Sequence, residues 1–81
     1  MFSKNKELFD CIAKALKVNA NKININSSSD NIEDWDSLGQ LNILTALDKK
    51  LKGKVFGIKK LATAQSTKAI IKILKEKKLL E

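Results

Sequence analysis

Glu33-Asp34-Trp35-Asp36-Ser37-Leu38-Gly39-Gln40 joins a polar, irregular stretch to the clearest helical pattern in the chain, and it sets the only tryptophan close to a hydroxyl. Read from Ser37, Ser-Leu-Gly-Gln forms a capping box, in which the Ser37 hydroxyl accepts an orphan backbone N–H and Gln40 reaches back. Leu38, Leu41, Leu44, Leu47 and Leu51 follow at helical spacing. The pattern predicts an amphipathic helix from Ser37 to about Lys52, with Ser37 pinned at its head. Its outward side would present Gly39, Gln40, Asn42, Thr45, Asp48 and Lys49.

Upstream, Leu8, Cys11, Ile12, Ala15 and Leu16 recur at offsets of three and four, which predicts a helix from about Ser3 to Leu16. From Val18 to about Asp34 that periodicity stops. Asn19-Ala20-Asn21 ends the helix, and Asn26-Ser27-Ser28-Ser29-Asp30-Asn31 is turn chemistry, with Ile23, Ile25 and Ile32 as anchors to the helices. Downstream, Gly53 and Gly57 mark a turn from which Phe56 and Ile58 tuck inward, and Ile58–Ala62 is long enough for a helical turn or two. Ser66 or Thr67 caps a last helix, Thr67 to about Lys78, with Ile70, Ile73 and Leu74 inward and Lys68, Lys72 and Lys75 outward. Leu79-Leu80-Glu81 is expected to fray. The layout is all-α: one domain over residues 1–81, built as a small bundle.

Composition agrees. A chain of 81 residues buries only about 60 to 65% of its unfolded surface, so its core is small. It has no proline and three glycines, so little interrupts helices. One cysteine cannot form an internal disulfide, and Cys11 reads as a small buried hydrophobe, since no histidine is present to activate it. No apolar run approaches the roughly 20 residues of a membrane span, and the first residues lack an apolar signal core, so a cytoplasmic location without membrane insertion is expected.

Charge is uneven. Residues 1–30 hold five lysines against three acids, residues 31–48 hold four acids and no lysine, and residues 49–81 hold eleven lysines against two acids, within a total of +7. A basic half points to nucleic acid or an anionic membrane, or only to lysines complementing helix C-termini. With no histidine there is no catalytic triad, and no Gly-rich phosphate loop, dinucleotide fingerprint or metal-ligand spacing occurs. The sequence therefore argues against an enzyme.

Asp36-Ser37-Leu38, with Trp35 before it and Leu41, Leu44, Ala46-Leu47-Asp48 and Leu51 after it, resembles the Asp-Ser-Leu helix of acyl carrier proteins and peptidyl carrier domains. The resemblance implies a four-helix bundle of acyl-carrier type, three longer helices plus a short third one, with a long loop before the second. It implies 4′-phosphopantetheine on Ser37, flanked by the signature residues Asp36 and Leu38, bearing acyl or aminoacyl thioesters. A phosphopantetheinyl transferase would attach the arm from coenzyme A, and a loading ligase and acyltransferases would use it. Partner enzymes would meet Trp35, Gly39, Gln40, Asn42, Thr45 and Asp48. By the same analogy Leu41, Leu44, Ile58, Leu61, Ala64, Ile70 and Leu74 would line an acyl cavity, residues any core would also need.

Two positions carry two readings. Trp35 is either a plug fastening the loop to the bundle or part of the partner surface. Gly39 is either tolerated in the first turn or leaves room for a partner to reach Ser37. The basic balance departs from the acidic surfaces usual in the family, which points to a specialised pathway with dedicated enzymes. Rival functions are an unmodified carrier-like adaptor and a basic nucleic-acid module; the latter lacks arginine, so the bidentate guanine contact is unavailable and no stable nucleic-acid partner is expected. A monomer meeting its partners transiently is expected.

Overall fold

Three α-helices carry the fold in the computed structural model, which describes residues 2–81: α1 (Asn5–Leu16), α2 (Ser37–Lys50) and α3 (Thr67–Glu76). Two 3₁₀ segments, Ala20–Lys22 and Lys59–Thr63, lie in the connections. Among the described residues there is no strand, only isolated bridges between Phe2 and Leu80 and between Ser28 and Ser66.

α1 buries Leu8, Cys11, Ile12, Ala13 and Leu16, the face its spacing predicts. It starts at Asn5 rather than Ser3, because Ser3 stays outside the helix and donates its hydroxyl to the Glu7 carboxylate. It ends at Lys17, which adopts φ 59° and hands the next amide, that of Val18, back to Ala13 O at 3.0 Å. The terminator is thus a left-handed lysine, ahead of the asparagines expected to stop the helix.

The long connection is ordered by its own side chains. Asn24 Oδ1 accepts from the Asn26 amide at 2.8 Å, Asn31 Oδ1 accepts from the Ser28 amide at 3.0 Å, and the buried Ser27 hydroxyl accepts from the Asn24 amide at 2.9 Å. These are the Asx and Ser turns that the polar composition allows. Thr67 then ties the loop to α3: its amide donates to Ser27 O at 3.0 Å, and its buried hydroxyl donates to Asn24 O at 2.7 Å. Ile23 is buried and Ile32 half-buried, as anchors should be, but Ile25 is exposed, since the Asn24–Asn26 turn directs it outward.

α2 departs from its expected register in two ways. Its cap is Asp36, whose Oδ1 accepts the Gly39 amide at 2.8 Å, and Ser37 is the first helical residue. Asp and Ser cap equally well, and Asp36 wins the position because the chain turns one residue earlier, at Trp35. The buried face is Gly39, Gln40, Ile43, Leu44 and Leu47, continued by Leu51. Leu38 and Leu41 are 66% and 51% exposed. Apolar residues occur around most of this helix, and the packing of Gln40 under Trp35 selects the face that excludes Leu38 and Leu41.

After α2 the chain turns through Lys52 and Gly53, both at positive φ. Val55 is buried, whereas Phe56 stands 59% exposed instead of tucking in, because the amides on either side of it are committed: Val55 N to Asp48 Oδ1 and Ile58 N to Val55 O. The short third segment is the 3₁₀ stretch Lys59–Thr63, with Leu61 inward. Ser66 caps α3 by accepting the Ala69 amide at 3.1 Å, and the helix buries Ile70, Ile71, Ile73 and Leu74. α3 stops at Glu76, before the expected Lys78. The tail does not fray: Phe2 N donates to Leu79 O and Glu81 N to Phe2 O, which buries Phe2 and Leu80 together. The layers meet on Leu8, Ile12, Trp35, Ile43, Leu47, Leu61, Ile70 and Leu74, all almost fully buried.

Candidate functional site

Ser37 is exposed in the first turn of α2. No hydrogen bond engages its hydroxyl among the described residues, and the amides of Ser37 and Leu38 find no acceptor there. Asp36 satisfies one orphan amide, that of Gly39, while the remaining donors and the helix dipole favour negative charge at this end. The carboxylates of Asp34 and Asp36, with Glu33 and Asp30 behind them, are exposed and oppose it.

Asp36 and Leu38 beside Ser37 are exposed, while Trp35, Gly39 and Gln40 just beyond them are fixed in the core. Trp35 is 2% exposed, and its indole N–H donates to Gln40 Oε1 at 2.6 Å. Gln40 is itself buried, and its amide donates to Leu61 O at 3.2 Å and Ala64 O at 3.0 Å. Of its two readings Trp35 takes the plug, and Gln40, which the spacing places on the outward side, is buried with it; the pair is the bolt between loop, α2 and the segment before α3. Gly39 is buried too. A Cβ there would overlap the Asp34 carbonyl oxygen and come within 2.8 Å of Leu16 Cδ2, so the glycine serves close packing, and neither of the two sequence readings describes it.

Of the other expected recognition residues, Asn42 and Thr45 are exposed, with Thr45 Oγ1 donating to Leu41 O at 3.0 Å. Asp48 is half-buried, and its Oδ1 accepts the Val55 amide at 3.0 Å, so it holds the next turn rather than an outward charge. The exposed side of α2 after Ser37 therefore offers Leu38, Leu41, Asn42 and Thr45, then Lys49 and Lys50, an apolar surface with a basic end and no fully exposed carboxylate.

Ser37, Leu41, Leu44 and Asp48 fall at i, i+4, i+7 and i+11, along one edge of α2. Leu44 lies about 10 Å from Ser37 along the axis. There a pocket of about 180 Å³ opens, lined by Leu44, Val55, Phe56, Ile58, Lys59 and Ala62. Only Leu44 and Ile58 of the expected cavity residues reach its wall. Leu61, Ala64, Ile70 and Leu74 are packed in the closed core, and Leu41 stands outside on the helix surface. Val55, Phe56, Lys59 and Ala62 were missed; the signal that could have found them is the Gly53–Gly57 spacing, which turns the chain back along α2.

Cys11 is buried, and burial pushes its thiol up, with Lys50 and Lys14 pulling weakly the other way. It is held as a neutral packing group. Among the described residues no cluster of three or more His, Cys, Asp or Glu is placed to hold a metal ion, and no helix is long and apolar enough to cross a membrane. No known family model, curated protein or solved structure matches this chain.

Proposed function

We propose that the chain is a phosphopantetheine carrier whose attachment point is Ser37. One observation carries this: a free, exposed hydroxyl at the head of a 14-residue helix, on a turn that Trp35 and Gln40 fasten to the core. A serine that merely capped the helix would have its oxygen occupied by an amide, and here Asp36 does that work.

The residues suit a phosphodiester at this place. The Ser37 and Leu38 amides are without acceptors at a helix N-terminus, where the dipole favours an anion. When attached, the arm supplies a terminal thiol that bears acyl groups as thioesters. The chain contributes position: Trp35, Gly39 and Gln40 keep the serine from sinking or swinging. The base and metal for attachment belong to the transferase: Ser37 Oγ would give its proton to that base and attack the coenzyme A pyrophosphate at the phosphorus next to the pantetheine, and adenosine 3′,5′-bisphosphate would leave as the P–O bond of the anhydride breaks. The tether then replaces diffusion by a high effective concentration at each partner.

Three α-helices with the 3₁₀ segment Lys59–Thr63 between the second and the third support this reading, the 3₁₀ segment standing where the resemblance would put a short third helix. Partner enzymes would read Leu38, Leu41, Asn42 and Thr45, so their contact is apolar, and a loading ligase or acyltransferase that selects an acidic helix docks poorly. The edge from Ser37 to Leu44 leads to the pocket at Phe56, which has room for a short cargo or the end of the arm.

Transfer from a fluorescent coenzyme A analogue by a broad-specificity phosphopantetheinyl transferase tests the proposal. The chain is expected to take the label and Ser37→Ala to remain dark. An unlabelled wild-type chain, beside a known carrier labelled in the same tube, would end it.

A further inference from the structure

Between Asp48 and Glu76 the chain has nine lysines and no acid. The only ion pair among the described residues joins Lys6 and Asp10, so this positive charge is uncompensated by partners within the fold. Four of the lysines, Lys52, Lys54, Lys59 and Lys60, are exposed and lie within four residues of Phe56, whose ring is 59% exposed and shares a pocket wall with Lys59. The ring is held there by its neighbours: Val55 is buried with its amide on Asp48 Oδ1, and the Ile58 amide returns to Val55 O at 2.9 Å. That contact also turns Asp48, the nearest acid in the sequence, toward the loop backbone.

An exposed aromatic ring within a patch of lysines has two complementary needs, apolar cover for the ring and anions for the ammonium groups. An anionic bilayer supplies both at one surface, with acidic headgroups outermost and the acyl boundary just beneath. Nucleic acid suits the patch less well: without arginine there is no bidentate base contact, and one ring gives a single stacking platform. We propose that residues 51–60 dock peripherally on an anionic lipid bilayer, with Phe56 entering the headgroup–acyl boundary and the four lysines facing acidic headgroups. Docking is independent of whether Ser37 is modified. If both hold, the serine works close to a membrane surface.

Sedimentation of the full chain with vesicles of phosphatidylcholine mixed with phosphatidylglycerol, against phosphatidylcholine alone, tests the proposal. Partition into the anionic vesicles is expected, weakening as salt rises. Lys59→Gln together with Lys60→Gln should lower it about 25-fold, from about five-fold per lysine near the surface. Phe56→Ala should lower it by about five-fold or more. Each changed residue is exposed, and circular dichroism checks that the variants fold. Equal partition into neutral vesicles, no partition into either, or a Phe56→Ala chain that binds as wild type would overturn the proposal. So would single-stranded RNA bound more tightly than the anionic vesicles at the same salt.

Discussion

The Trp35 indole donates to the Gln40 side-chain oxygen at 2.6 Å, and Gln40 spends its amide protons on the carbonyls of Leu61 and Ala64. One buried amide thus joins the end of the long loop, the first turn of α2 and the approach to α3. Each of these groups would be costly to leave unpaired in a dry core. Gln40→Leu, of similar size, leaves the indole N–H and the Ala64 carbonyl without partners, while Leu61 O keeps the Ala64 amide at 3.2 Å, and should cost about 3 kcal/mol. Urea unfolding followed by Trp35 fluorescence measures it, and a loss under about 0.5 kcal/mol would show that the network contributes little.

Asp36 and Ser37 should separate cleanly. Asp36→Ala removes the cap on the Gly39 amide and should cost about 1 kcal/mol. Ser37→Ala touches an exposed hydroxyl without a partner and should change stability by less than about 0.5 kcal/mol. Thermal melts of the two variants decide the matter, and the reverse order would restore Ser37 as the cap.

Gly39→Ala sets two effects against each other. Alanine gains up to about 1 kcal/mol of helix propensity over glycine, less in a first turn. Against that, the added methyl meets the Asp34 carbonyl and Leu16, and backbone does not yield cheaply. Overpacking of this kind costs about 1 to 3 kcal/mol, so a net loss is expected. A raised melting temperature would mean that the loop does not lie against α2 as described.

The Cys11 thiol is pushed up by burial, so the folded state disfavours the thiolate. Its stability contribution is full below the unfolded thiol pKa of about 8.5 and is lost as pH rises toward the folded value. Cys11→Ala is less stable at neutral pH because it opens a small void, and the gap to wild type should narrow above about pH 8.5. Denaturation series at neutral and alkaline pH test this; a gap that is constant or widens contradicts it.

Much of this architecture was legible from spacing alone. The faces of α1 and α3 follow from strong periodicity with lysines opposite, and Ser66 stands where an N-cap should. α2 was legible as a helix but not in its register, because Leu38, Leu41, Ile43 and Leu44 offer rival faces and the choice is made by Gln40, a polar residue that local pattern assigns to solvent. Asp36-Ser37 likewise holds two equivalent caps, and only the path of the loop decides between them. Phe56 and Leu80 failed in opposite directions: backbone bonds at Val55 and Ile58 hold the ring outside, and pairing with Phe2 draws the tail in. None of these is a local property. The exposure of Ser37 was legible, since a polar residue at a helix start has little else to pack against.

The chain's intact mass, after co-expression with a broad-specificity phosphopantetheinyl transferase, bears most directly on the carrier proposal. Wild type should gain the mass of one phosphopantetheinyl group, carried on the peptide that contains Ser37, and Ser37→Ala should gain nothing while melting like wild type. A folded wild-type chain that keeps its unmodified mass, where a known carrier in the same cells is fully converted, would contradict the account.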